Sequence, residues 1–334
     1  KNGNKKIKII LNKNIIMFNV IVIGDCCFDT FIQIQQAKLL KLKTEKNQLL
    51  CLDYGSKIPI NKIQTSMGGN AGNVAISLKK LGLKIGICSI LGDDEMGEKI
   101  YQKFKKEKIE TKFIKKAKNS KTNCSFVINF KTDRTVLAYH QQRQYFLPKL
   151  DKTEWIYLTS VGENHQKLHQ QIIDLIKNKK IKLIFNPGTY QLKTGFKKLE
   201  KIFKLTTILI VNKKEAQFLV KGAINKEIEE NNELLKILKN YGPEIIVITQ
   251  GRDGACVYNG KEYLKMPALS GSRIDVTGAG DSFASAFLAG FIYQKDVKQA
   301  LKWGIINSGF VIRKIGAQEG LLKKQEMIRI INKN

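Results

Sequence analysis

The sequence predicts an α/β fold, a mainly parallel central sheet covered by helices on both faces. Short apolar runs rich in Val, Ile and Leu alternate along the chain with segments of helical apolar spacing, the order of repeated β-α units. Hydrophobic residues make up 43% of the 334 positions, enough for a substantial core. No run approaches the roughly 18 consecutive apolar residues that a membrane span needs.

Residues 20–24 read as a first strand ending at Gly24, and Ala71, Val74, Ala75, Leu78 and Leu81 recur at helical spacing. Residues 85–91 form the next strand, followed by a Gly92-Asp93-Asp94 turn and a helix from about Met96. A strand at 155–160 and a helix at 165–177 come next, then strands at 183–186 and 208–211, a polar-faced helix at 226–240 and a strand at 245–249. Two segments, 31–65 and 123–140, break this rhythm. In the second, runs 124–130 and 134–140 flank a turn at 131–133, a hairpin pattern. Together they are expected to form a small β lid on a single domain spanning 17–334, because no internal repeat or Pro/Gly/Ser-rich linker divides the chain. Residues 1–16 read as a dispensable extension. Lys and Asn interrupt any signal-like apolar run there, and Met17 opens the first strand.

The balance of 58 Lys+Arg against 29 Asp+Glu gives a net charge of +29. The lysines are scattered among Asn and Ile, no basic block is interleaved with aromatics, and no zinc-finger or helix-turn-helix pattern occurs. A solvated Lys-rich surface is therefore expected, with no specific nucleic-acid partner and only weak attraction to anions at low salt. Six cysteines at irregular spacing, without a CxxC pair, point to a reducing cytoplasm and away from a structural zinc site.

The strongest chemical signal is Asp275-Val276-Thr277-Gly278-Ala279-Gly280-Asp281-Ser282-Phe283. Gly278, Ala279 and Gly280 leave backbone N–H groups bare at the mouth of a helix, an anion site favoured by the helix dipole. Asp281 is a carboxylate beside it, placed to accept a proton from a hydroxyl. A plain turn with a capping Asp reads equally well from this segment alone. The helix that follows, with Phe283, Ala284, Ala286, Phe287, Leu288 and Ala289, is apolar enough to be buried. The second signal is Gly68-Gly69-Asn70-Ala71-Gly72-Asn73. Paired glycines let a ligand approach the backbone and two asparagines can hydrogen-bond hydroxyls, although a Gly-rich loop with an Asn cap would look the same. No GxxxxGK[ST], GxGxxG or GxSxG occurs. His165 and His169, four apart, read as a solvated helix face rather than a metal site.

Together these segments resemble the two signatures of the ribokinase-like (PfkB) family of carbohydrate kinases, at 68–82 and 275–290. Gly92-Asp93-Asp94, Asn212-Lys213-Lys214-Glu215, Thr249-Gln250-Gly251 with Gly254, and Gly316-Ala317-Gln318 agree in order, and the resemblance spans about 18–330. It implies a three-layer α/β/α ribokinase-like fold with a small β lid, and transfer of the γ-phosphoryl group of ATP to a hydroxyl of a sugar or sugar-like substrate, or alternatively of a nucleoside. Asp281 would be the general base, and the amides of Gly278, Ala279 and Gly280 the anion hole. Asn212, Thr249, Gly251 and Gly254 would bind ATP, with Glu215 reaching Mg²⁺ through water. Asp275 would help hold a monovalent cation such as K⁺. Asp29, Gly69 and Asn73 would contact the substrate. Lids of this kind often pair, which implies a homodimer. The chain departs from ribokinases on the sugar side. Cys27 replaces an Asn before Asp29, and Thr159-Ser160 follows the strand where a Glu is usual, which puts ribose in doubt and leaves the phosphoryl half intact.

Overall fold

The computed structural model describes residues 17–41, 48–131 and 133–333; the expected extension at 1–16 lies outside them. In the N-terminal third the strands are β1 (Phe18–Ile23), β2 (Cys27–Ile34), β3 (Lys38–Lys41), β4 (Gln48–Cys51), β5 (Ile60–Gly68), β6 (Ile85–Cys88), β7 (Ile90–Gly92) and β8 (Lys115–Ala117), with helices α1 (Asn70–Lys80) and α2 (Glu95–Lys106). The middle contains β9 (Cys124–Phe130), β10 (Asp133–Tyr139), β11 (Thr153–Leu158), α3 (Gln166–Asn178), β12 (Lys182–Phe185), α4 (Thr189–Lys193) and α5 (Phe196–Phe203). There follow β13 (Ile208–Asn212), α6 (Lys213–Ile224), α7 (Asn231–Asn240), β14 (Ile245–Thr249), β15 (Ala255–Tyr258), β16 (Tyr263–Met266), α8 (Ala279–Gln294), α9 (Val297–Val311) and α10 (Lys324–Lys333).

The main sheet has eight strands in the order β16-β15-β14-β13-β12-β11-β1-β6, parallel from β14 to β6 and antiparallel at β15 and β16. Side chains alternate across it. Val20, Val22, Trp155, Tyr157, Ile208, Ile210 and Val247 pack on one face with apolar residues of α1, α8 and α9. Ile21, Ile23, Ile156, Leu158, Leu209, Val211, Ile246 and Ile248 pack on the other with α3, α5, α6 and α7. Strands apolar on both faces under two helix layers give the expected three-layer α/β/α fold. The apolar helix anticipated after Asp281 is α8, buried from Asp281 through Gly290.

A second sheet, in the order β10-β9-β2-β5, stands beside the first. It draws on the two segments that break the β-α rhythm, but it begins earlier, at Cys27, so Asp29 lies within its strand β2. Antiparallel and parallel pairing set its register. Asp29 pairs with Ser125 and Ser66, Phe31 with Val127 and Gln64, and Gln33 with Asn129 and Lys62.

Two local expectations are corrected. The helix expected over 226–240 is confined to Asn231–Asn240. Asn225 ends α6 in the left-handed region at φ 55°, and Ile228 then turns onto the core rather than extending a helix. His165 and His169 are buried, not solvated. His165 Nδ1 lies 2.8 Å from the Gly162 carbonyl, His169 Nε2 lies 3.2 Å from Gln191 Nε2, and the two rings are 4.7 Å apart. Burial holds His169 down at about 3, so it stays neutral.

Candidate active site

The parallel strands end on one edge, and a cavity of about 260 Å³ opens there beside the N-terminus of α8. Chain order reverses between β11 and β1, the place where open α/β sheets form a ligand crevice. Asn186 follows β12, Asn212 ends β13 and Thr249 ends β14; with Glu215, Gly280 and Asp281 they line the cavity.

Asp281 sits in the first turn of α8 and is buried. Its Oδ1 accepts from Asn70 Nδ2 at 3.0 Å and its Oδ2 from Asn73 Nδ2 at 2.9 Å. Gln318 Nε2 donates to Asn73 Oδ1 at 3.0 Å and to the Met67 carbonyl at 2.9 Å, which fixes the Asn73 amide. Burial pushes the Asp281 carboxyl up to about 6 against the lowering effect of the two asparagines, and the charge of Asp29 adds to the rise. The result is a carboxylate that is ionised at neutral pH and yet more basic than an ordinary Asp.

No side chain caps α8. Gly278 takes φ 73°, where a Cβ would meet Ala317 Cβ at 2.4 Å. A Cβ on Gly280 would meet nothing within 4 Å, so this glycine faces open space. The Ala279 amide is already used, donating to the Val276 carbonyl at 3.2 Å.

Asp29 is buried and accepts from Ser125 Oγ and from Cys27 Sγ, the latter at 2.9 Å. The paired glycines are both required by close packing within the chain. A Cβ at Gly68 would lie 1.8 Å from Asp29 Oδ2, and one at Gly69, φ 79°, would lie 2.6 Å from Cys27 N. They admit the Asp29 carboxylate and the turn after β1.

Asn212 and Glu215 form a reciprocal N-cap of α6: Glu215 N donates to Asn212 Oδ1 at 2.9 Å, and Asn212 N to Glu215 Oε2 at 2.8 Å. Burial raises the Glu215 pKa despite these bonds. Gly251 opens a short 3₁₀ turn at φ 57°. Gly254 is required by close packing, since a Cβ there would meet the Met266 carbonyl at 2.0 Å.

Asp275 accepts from four donors. Oδ1 accepts from Arg134 Nη1 at 2.8 Å, Thr277 N at 2.9 Å and Thr277 Oγ1 at 2.6 Å, while Oδ2 accepts from Gly316 N at 2.8 Å. An ionised carboxylate offers about four acceptor positions. Three of the donors meet Oδ1 and one meets Oδ2, so Oδ2 keeps one acceptor position, and the Arg134 guanidinium from β10 brings a counter-charge.

Sequence reasoning missed Asn70, Gln318, Ser125 and Arg134 as partners of the site. Asn70 and Gln318 stood within noted motifs, whereas Ser125 and Arg134 come from strands whose register no local pattern discloses.

A profile of the pfkB family of carbohydrate kinases matches residues 19–324. The chain belongs to this family. Curated proteins with similar sequences include the ATP-dependent 6-phosphofructokinase of Thermoanaerobacterium thermosaccharolyticum, 26% identical over 284 residues, covering 80% of this chain and 86% of that one. In fold, the chain is similar to a Methanocaldococcus jannaschii nucleoside kinase of the ribokinase family (TM-score 0.77, 20% identity, 95% of this chain and 99% of that one). An Arabidopsis thaliana ribokinase complexed with ribose and ATP superposes with TM-score 0.77 at 16% identity, over 95% of this chain and 99% of that one. As a PfkB protein this chain is an ATP-dependent kinase acting on an alcohol group of a sugar or nucleoside. Among its described residues, no helix is long and apolar enough to cross a membrane.

Proposed function

We propose that this PfkB kinase uses Asp281 as the general base that takes the proton of an acceptor hydroxyl as its oxygen attacks the γ-phosphoryl group of ATP. The observation that carries this reading is a buried carboxylate near pKa 6, clamped by Asn70 and Asn73, sharing one cavity with Gly280, Asn212 and Thr249. The open backbone at Gly280 and the uncapped start of α8 stabilise charge on the transferring group. Asn212 and Thr249 flank the phosphates, and the backbone turns at Gly251 and Gly254 shape the nucleotide side. Asn73 positions the base, so the hydroxyl contact expected of it passes to Asn70, which lines the cavity. Asp29 holds acceptor hydroxyls from the second sheet, and Gly69 supports the turn behind it.

The donor set fits Mg²⁺, an ion commonly held by one or two carboxylates plus waters and substrate phosphates. Glu215 keeps one oxygen outside its capping pair and would hold the ion through water. Once bound, Mg²⁺ would neutralise phosphate charge. At Asp275 the Arg134 guanidinium supplies the counter-charge that K⁺ would otherwise bring.

The second sheet, as a lid over one kinase domain, excludes water from the transfer. Its outer face exposes Phe126, Leu137, Ile63 and Ile60, and a second copy of the chain is the partner proposed to cover it. The six cysteines are free, which supports the cytoplasm as the compartment. A sugar acceptor is preferred, with a nucleoside as the second reading because of the similarity in fold to a nucleoside kinase. A coupled ADP-release screen over pentoses, hexoses, hexose phosphates and nucleosides tests both: turnover of one class identifies the acceptor, and ATP hydrolysis indifferent to all of them contradicts the assignment.

A further inference from the structure

A second cavity, of about 300 Å³, lies between the second sheet and the loops on the nucleotide side of the main body. Lys131 and Arg134 enter it from the β9–β10 hairpin, Arg252 from the turn after β14, and Arg273 from the segment leading to the anion loop. Its carboxylates are Asp133 and Asp275. Asp275 is neutralised by Arg134 at 2.8 Å. Among the described residues, no ion pair joins Lys131, Arg252 or Arg273 to a carboxylate.

A basic chain places lysines everywhere, so cationic lining alone would say little. The kind of cation is informative. The sequence has six arginines against 52 lysines, yet three of the six meet in this one cavity. Arginine differs from lysine in presenting a planar fork of N–H donors that matches phosphate in a bidentate fashion. The cavity also adjoins the reaction site. Asp275 and Val276 line it just before Gly278, and Gln33 and Asn129 line it from the sheet face that carries Asp29, four residues back along β2.

We propose that this cavity is a phosphate-binding site, built by Arg252 and Arg273 with Lys131, and that Asp275 aims the Arg134 guanidinium at its edge. The phosphate belongs to one of the two substrates, either the nucleotide or an acceptor that is already phosphorylated. The inference rests on the kinase reading but not on the identity of the base.

Inorganic pyrophosphate, titrated calorimetrically at about 0.15 M salt to suppress long-range attraction, is the direct probe. Arg252→Gln/Arg273→Gln is expected to weaken its binding about tenfold or more. Lys201→Gln/Lys236→Gln, which removes the same charge from exposed positions elsewhere, is expected to leave it unchanged. Equal weakening in both double variants, or no binding to the wild type, overturns the proposal. The same titration on Asp281→Asn separates the two readings, because loss of the base leaves the phosphate site intact. Kinetics then identify the source. A rise in KM for ATP alone assigns the site to the nucleotide. A wild-type preference for a sugar phosphate over its parent sugar, lost in Arg252→Gln/Arg273→Gln, assigns it to the acceptor. If neither KM moves, the cavity is not a substrate site.

Discussion

Asn73 donates from Nδ2 to Asp281 Oδ2 at 2.9 Å, a contact between residues 208 positions apart. It joins the two glycine-bearing segments at the start of α1 and the start of α8. It also opposes burial: without Asn73 the desolvated Asp281 carboxyl would be still harder to ionise.

The pH dependence of kcat/KM follows. A base must be deprotonated to act, so activity falls as pH drops through about 6, the value to which burial pushes Asp281. Asn73→Ala removes the largest opposing contribution, so the acid limb should move to higher pH and activity at neutral pH should fall. Rate profiles of both proteins between about pH 5 and 9 test this. An unmoved limb would separate Asn73 from the base.

Gly68→Ala should resemble Asp29→Ala. The added Cβ would lie 1.8 Å from Asp29 Oδ2 and must displace that carboxylate. In its proposed role Asp29 would bind acceptor in ground and transition states alike, so KM for the acceptor should rise strongly in both variants with kcat less affected. A Gly68→Ala enzyme with wild-type acceptor KM would show that Asp29 does not hold the substrate.

Turnover should not require a particular monovalent cation. Four donors occupy the Asp275 carboxylate, and its counter-charge is the Arg134 guanidinium. Initial rates in Na⁺, K⁺ and bulky organic cation buffers of equal ionic strength should agree within about twofold. Arg134→Gln should lower kcat in all three by loosening the tie between second sheet and anion loop. Strong K⁺ activation of the wild type would mean that the ion displaces Arg134.

Much of the fold was legible because its signals are local. Apolar runs such as 208–211 and 245–249 mark buried parallel strands, and the small apolar residues after Asp281 mark a buried helix. The sequence also placed Asp281 and the glycines before it at the start of that helix, where the structure has them. What it hid depends on register and close approach. Whether Asn73 faces a ligand or the base depends on where Gln318 lies, and whether Gly68 serves a ligand or Asp29 depends on how β2 pairs with β5. Asn212 and Glu215 show the remaining ambiguity. Their spacing fits both a helix cap and a phosphate site, and the cap is formed while one Glu215 oxygen stays outside it. Residues 226–230 misled because charged residues at helical spacing do not reveal that Asn225 has already ended the preceding helix.

The central claim is that Asp281 abstracts the acceptor proton, and Asp281→Asn tests it most directly by keeping the shape and removing the basicity. The account predicts that kcat on the best acceptor falls at least about 10²- to 10⁴-fold, with ATP affinity nearly unchanged. Near-normal kcat in this variant would contradict the mechanism.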